Sequence, residues 1–278
     1  MSLTDVKQEI FGDRTPSVLL NDVSLNYVTS VSRGRGLFSR ETKRVVHALQ
    51  PLSLVAHEGE FIGVVGRNGS GKSSLLRLIA GLETPTSGEI YASSQPTLIG
   101  VNGVLNNDLS GEENIEMGCL AMGLPPREIP EVKQRVMDLA DIGDAIYRPM
   151  KTYSSGMAAR LRFAIMLANS PRITLIDEAL STGDEATSKR YSDAMKELLG
   201  EAGTVFLVNH SAQTIEKMCT RAIWLDFGEL VMDGDARAVA RKYRWFAHLI
   251  ANGEEARAAQ MLKDSKAEGN LGYVEDSE

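Results

Sequence analysis

The run Gly66-Arg67-Asn68-Gly69-Ser70-Gly71-Lys72-Ser73-Ser74 holds the residue types that grip phosphate. It has the spacing G-x-x-x-x-G-K-S, follows the apolar segment Phe61–Val65 and precedes a Leu- and Ile-rich stretch. Small residues let successive backbone N–H groups converge on phosphate oxygens, and the start of a helix adds its partial positive charge. Lys72 then supplies a point charge for β and γ phosphates, and the Ser73 hydroxyl is an oxygen ligand for Mg²⁺. The plain alternative is a glycine-rich turn that only closes a strand–helix corner, against which strand, loop, lysine and helix all agree.

Two further segments carry chemistry that such a loop needs. Ile173-Thr174-Leu175-Ile176 reads as a buried strand ending in Asp177 and Glu178. Asp177 is expected beside the phosphate loop, holding Mg²⁺ through water, and Glu178 is positioned to polarise an attacking water. Alone, the pair would read as solvated carboxylates; beside a phosphate loop it suits hydrolysis better than transfer to a second substrate. Twenty-three residues before Asp177, Ser154 opens the segment SSGMAARLRFAIMLA. A Ser-Ser-Gly cluster at a helix start is an ordinary N-cap, but it also offers a hydroxyl, free N–H groups and the helix dipole, a second anion site able to serve another subunit's nucleotide.

Positioning these groups requires an α/β frame. Strands are expected at Phe61–Val65, Ile173–Ile176 and Val205–Val208, each followed by a loop with polar chemistry, where ligands of a parallel sheet gather. From about 104 to 170 the pattern turns helical, interrupted by GLPPREIP and YRPMKTYSSGM, and reads as an inserted helical subdomain. AIWLDFGELVMDG reads as a hairpin turning near Gly228, and Ala236 to about Lys266 as one Ala-, Arg- and Glu-rich helix. The division expected is a main domain over residues 1–240 and a helical tail over 241–278.

Composition narrows the class. With 43% hydrophobic and 24% charged residues over 278 positions, the chain can bury a full core, which excludes disordered and disulfide-scaffold classes. A net charge of −7 argues against a broad nucleic-acid surface. Cys119 and Cys219 lie far apart with no partner at metal-ligand spacing, which fits a reducing compartment. MSLTDVKQEIFG lacks an apolar core and no run of about 18 apolar residues occurs, so neither a spanning helix nor a secretory leader is expected. The exception to the acidic balance is Thr29–Val46, TSVSRGRGLFSRETKRVV. Its five basic residues, Arg33, Arg35, Arg40, Lys43 and Arg44, stand against Glu41 for a local net of +4. It reads as a solvated loop, or as a basic loop able to meet anionic lipid or a lipid-pyrophosphate head group through Arg33, Arg35 and Arg40.

GRNGSGKSS, YSSGM, ITLIDEAL, STGD and the lone histidine of VNHS, in this order and spacing, resemble ABC-type ATPase domains over essentially the whole chain. The resemblance implies a P-loop α/β ATPase core working as a head-to-tail homodimer with two ATP molecules, and Mg²⁺, sandwiched between subunits. Each site would pair one phosphate loop with Ser154, Ser155, Gly156 and Met157 of the other chain. It further implies that Asp184 lies in the loop communicating across that interface, that His210 contacts the γ-phosphate and the catalytic water, and that Tyr27 stacks on adenine, although a core aromatic is the plain alternative. One departure is clear. The family carries a glutamine shortly before the segment matched by LSGEEN; this chain reads LIGVNGVLNN there, and Gln95 is too far upstream to take the role.

YSSGMAARLRFAI in place of the commoner LSGGQ signature, DEALSTGD, LSGEENI and the extended region before the phosphate loop are similar to ATP-binding subunits of bacterial polysaccharide exporters. That likeness implies an ATPase at the cytoplasmic face of the inner membrane, driving a separate multi-span permease that exports lipid-linked glycan. An ABC transporter for another substrate remains open. So does a soluble ABC ATPase acting on ribosomes or DNA, although such proteins ordinarily carry two cassettes or a long coiled-coil insertion. A P-loop small-molecule kinase would need neither the Ser154 helix nor His210.

Overall fold

The computed structural model describes residues 14–33, 40–99, 105–167, 171–177, 203–209 and 211–269. Two long strands, β1 (Pro16–Arg33) and β2 (Arg40–His57), pair antiparallel, and β4 (Ser87–Ala92) adds to the other edge of β1 to complete a three-stranded sheet. The pairing continues outward to Arg33 opposite Arg40. Residues 29–33 and 40–46 of the basic segment expected as a loop are therefore paired strand, and their backbone groups are satisfied in a ladder instead of in water; residues 34–39 lie outside the described set.

The second sheet has six strands in the order β5 (Thr97–Ile99), β6 (Ile173–Asp177), β7 (Thr204–Val208), β3 (Phe61–Val65), β8 (Arg221–Asp226), β9 (Glu229–Asp235). All neighbours are parallel except the final pair. The three strands expected from the apolar runs form here, two of them a residue longer than anticipated. Every residue of β3 and β7 is buried, as a strand covered on both faces demands. Successive side chains alternate between two cores. Ile62 and Val64 of β3 meet α1 (Lys72–Ile79) and the three-stranded sheet through Leu75, Leu76, Leu20 and Leu49. Phe61 and Val65 face the opposite core with Trp224.

That second core is closed by α5 (Ala212–Met218) and α6 (Ala236–Ala251), which contribute Ile215, Val239, Phe246 and Leu249. Helix α6 runs through residue 240 without a break, so residues on both sides of the expected tail boundary pack on the same sheet. Asp235 caps it, its carboxylate accepting from the N–H groups of Arg237 (3.1 Å) and Ala238 (3.0 Å). The single helix expected over 236–266 is two: α6 stops at the C-cap Asn252 and α7 (Glu255–Gly269) starts after a turn, returning along β9. The hairpin near Gly228 is present. Its central residues, Phe227 and Gly228, take φ 48° and 81°, the left-handed pair that matches strand twist.

The helical region contains α2 (Gly111–Ala121), α3 (Ile129–Ala140) and α4 (Ser155–Leu167), the last two joined through short 3₁₀ turns, around Ile115, Val132, Val136, Ile146, Leu161 and Ile165. Ser110 and Glu113 form a reciprocal capping box at the start of α2. Phe163 of α4 instead joins the sheet core with Ile176, tying the subdomain to the strand that ends in Asp177. No helix among the described residues is long and apolar enough to cross a membrane.

Candidate functional site

The phosphate loop leaves the end of β3, at the carboxyl edge of the parallel sheet, and winds directly into α1. Its backbone is closed from below: the Ser70 N–H donates to Arg67 O (3.1 Å) and the Gly228 N–H, from the β8–β9 turn, donates to Ser70 O (3.1 Å). Gly71, the N-cap of α1, has φ 99°, and a Cβ there would stand 2.6 Å from Ala48 O on β2. No side chain caps α1 and no acid lies in its first turn, so its N-terminal N–H groups and dipole face outward uncompensated. The Lys72 ammonium is folded into the loop, donating to Gly66 O and Arg67 O, both at 2.8 Å. Asn68, Gly69 and Ser73 form the exposed rim, whereas Ser70 is buried with its hydroxyl unpartnered. An unbalanced helix start, a lysine held at its mouth and an orphan hydroxyl describe a cradle for phosphate.

Arg67 adds an anchor that motif spacing does not show. Its guanidinium grips Asp226 at the end of β8 with both arms, Nε to Oδ1 at 2.8 Å and Nη2 to Oδ2 at 2.9 Å. Phe227 covers one side at 4.5 Å and Phe246 of α6 approaches at 5.4 Å.

Asp177 ends β6, two strands from β3 with β7 between, and α1 packs across β6 and β7. Ser73 follows β3 and Asp177 ends β6, both at the carboxyl edge of the parallel sheet, and both carry the oxygen donors that Mg²⁺ takes. Glu178, Asp184 and His210 lie outside the described residues. The frame on either side of position 210 is set: Asn209 is buried and its Oδ1 accepts from the Ser211 N–H (2.7 Å), while Ser211 Oγ caps α5 by accepting from the Thr214 N–H (3.3 Å). The Asn-x-Ser spacing that makes this turn is a signal legible in the sequence.

Ser154 is the N-cap of α4, its hydroxyl accepting from the Met157 N–H at 3.2 Å and its carbonyl from the Ala158 N–H at 3.0 Å. Ser154 and Ser155 are exposed, and Gly156 and Met157 half-buried. The helix they open packs mainly into the helical subdomain, whereas the phosphate loop belongs to the sheet. Tyr27 pairs with Val46 two residues from Ala48, the residue that backs Gly71. Its ring packs against the α1-side core and its hydroxyl donates to Glu83 Oε1 (3.4 Å), which Arg77 also holds at 3.0 Å. Gln95 is exposed between β4 and β5, and residues 100–104 lie outside the described set. The side chains of Arg33, Arg35 and Arg40 lie outside it too.

The family model described as ABC transporter matches residues 49–181, from β2 to just past Asp177. A teichoic acids export ATP-binding protein of Staphylococcus haemolyticus is 38% identical over 234 residues, which cover 83% of this chain and 89% of that protein. This chain belongs to the ABC transporter ATP-binding protein family. The protein of the same description from Bacillus anthracis is 41% identical over 213 residues, 76% of this chain, but the match spans only 39% of the relative's length. Among solved structures, a dimeric ATP-binding cassette in a post-hydrolysis state bound to ADP and Pi superposes with a TM-score of 0.66 at 23% identity, covering 79% of this chain and 99% of that one. The ABC ATPase fold expected from the motifs is the fold observed.

Membership in the ABC family implies a nucleotide site, and the cradle around Lys72 meets that requirement in charge and in geometry. Sequence motifs alone did not reveal Asp226 as part of this ABC site. It stands 159 residues from Arg67 and comes to the loop only because β8 lies next to β3.

Proposed function

We propose that this chain binds and hydrolyses ATP as a homodimer and, through a separate multi-span permease, powers export of a lipid-linked polysaccharide from the cytoplasmic face of the cell membrane. The observation that carries the ATPase reading is the uncapped, acid-free start of α1 with Lys72 folded into its mouth. The polysaccharide reading is supported by relatives named for teichoic acids export. In this reading Gly66, Arg67, Asn68, Gly69, Ser70, Gly71, Lys72, Ser73 and Ser74 hold the triphosphate of one ATP, and Tyr27 meets its adenine. Ser154, Ser155, Gly156 and Met157 of the second copy close over the γ-phosphate, with Asp184 in the loop between sites. Ser73 and Asp177 hold Mg²⁺, which when bound neutralises charge on the β and γ oxygens. Glu178 takes a proton from the attacking water and His210 orients that water.

Arg33 and Arg40 pair at the outer end of the described β1–β2 ladder, and Arg35 lies between them in sequence. That placement supports a contact with a lipid-pyrophosphate head group at the membrane, since guanidinium forks match phosphate oxygens. Replacing all three with glutamine is expected to reduce export and leave ATPase activity of the purified dimer intact; undiminished export removes this role.

The deciding experiment is purification of the tagged protein from mildly solubilised membranes, with mass spectrometry of stoichiometric partners and an ATPase assay on the same fractions. Co-elution of a multi-span subunit lacking ATPase motifs, with ATPase activity lost in Lys72→Ala, supports the proposal. Ribosomes or DNA-repair proteins in its place overturn the export role, and activity that survives Lys72→Ala overturns the site.

A further inference from the structure

We propose that Arg67 is a positioning residue whose clamp by Asp226, Phe227 and Phe246 makes the C-terminal helix α6 a determinant of nucleotide affinity. The inference rests on the nucleotide reading of the phosphate loop and extends it to residues outside the motif.

The Arg67 peptide carbonyl accepts from both the Lys72 ammonium (2.8 Å) and the Ser70 N–H (3.1 Å). Whatever fixes residue 67 therefore fixes the resting place of the charge that must meet phosphate. Its side chain is fixed by the two-armed pair with Asp226, a carboxylate only 2% exposed. Such a fork sets direction as well as distance, which a single point contact does not. Phe227 forms the outer lid although it is 73% exposed, and the guanidinium beneath it is the described partner for that ring. Phe246 supplies the other approach from α6 and is itself held by Trp224, with ring centroids 5.0 Å apart. Tyr243 packs edge-on against the same tryptophan at 5.7 Å. Burial first, and then the Asp226 charge, push the Tyr243 phenol up, which keeps a neutral ring beside the pair. The route from α6 to the loop is thus a continuous stack: Phe246, Arg67, then the carbonyl that holds Lys72.

A preorganised loop binds phosphate without first having to be ordered, so loosening the clamp raises the ATP requirement without altering the reacting groups. ATP is the substrate and a fluorescent ATP analogue the binding probe, with the full chain throughout. Arg67→Gln is expected to weaken analogue binding about tenfold, the change that loss of one charge-assisted hydrogen bond produces. Asp226→Asn and Phe246→Leu are expected to raise KM for ATP several-fold while kcat stays near wild type, and Arg67→Lys to fall between Gln and wild type. A merely structural role gives the opposite split, a lower kcat from fewer folded molecules with KM unchanged. Arg67 is one-third exposed, so Arg67→Gln remains decisive even where Asp226→Asn fails to fold. Wild-type KM in all of the folded variants overturns the clamp. A wild-type chain that binds no ATP analogue overturns the nucleotide reading itself, so the two failures are distinct.

Discussion

Replacing Gly71 with alanine tests whether the phosphate loop is held by the three-stranded sheet behind it. The residue has φ 99°, where an L side chain costs about 1–2 kcal/mol, offset by about 0.5 kcal/mol from the stiffer unfolded chain. The added Cβ would also meet Ala48 O at 2.6 Å and Leu49 Cδ2 at 2.7 Å, well inside ordinary contact. Because one neighbour is backbone of a paired strand, β2 must retreat, and overpacking of this kind costs about 1–3 kcal/mol. Together the effects are about 2–4 kcal/mol, a fall in Tm of roughly 5–15 °C for a domain of this size. Gly69 is the internal control. It too has positive φ, 76°, but nothing lies within 4 Å of its Cβ position, so Gly69→Ala should cost about 1 kcal/mol and no more than about 4 °C. Thermal unfolding followed by circular dichroism without nucleotide separates them. Equal melting temperatures for the two variants would refute the reasoning, since only the contact with β2 distinguishes them.

Glu178→Gln should retain ATP binding, abolish turnover and trap a dimer on size exclusion with ATP, because it removes a base without emptying the phosphate cradle; turnover at the wild-type rate would sink the assignment. Both cysteines should be silent to a thiol reagent at pH 8 until the chain is unfolded. Burial pushes the Cys219 thiol far up and that of Cys119 up as well, aided by Glu116 in the latter case; rapid native-state labelling would contradict this. The capping box predicts a pH effect of definite sign. Hydrogen bonds from the Ser110 N–H and then its hydroxyl hold Glu113 below the usual glutamate range, so its contribution is present above that range and fades as pH falls through the lowered value. Glu113→Gln should remove that part of the acid slope in a pH series of melts, and an unchanged slope would count against it.

What was legible in the sequence was local. FIGVV, ITLID and TVFLV are largely apolar runs too short for helices and each leads into a polar loop, so strand and ligand edge could be read together. The fold class and the family followed from motifs that each keep their chemistry within a few residues. What was missed depended on partners distant in the chain. The basic segment 29–46 reads as a loop until β2 is found paired beside β1, and Arg67 reads only as one residue of the phosphate-gripping run until Asp226 arrives on the neighbouring strand. The break at Asn252 was available in the Asn-Gly pair following an apolar helix face, but a run rich in helix formers masked it. The capping box in LSGEEN was equally available as Ser110 and Glu113, three residues apart.

Strand β3 is seated between β7 and β8, and this order governs events during synthesis. The β1–β2 hairpin can close as soon as residue 57 emerges, since its partners are sequence neighbours. FIGVV must wait about 140 residues for Thr204–Val208, an interval of about 7–28 s at ordinary elongation rates of about 5–20 residues per second. Throughout that interval the glycine-rich run has been translated but has no Gly228 or Asp226 behind it. A ribosome-bound chain stalled before residue 204 should therefore capture no nucleotide, and its bare apolar strand is the segment that a chaperone would have to shield.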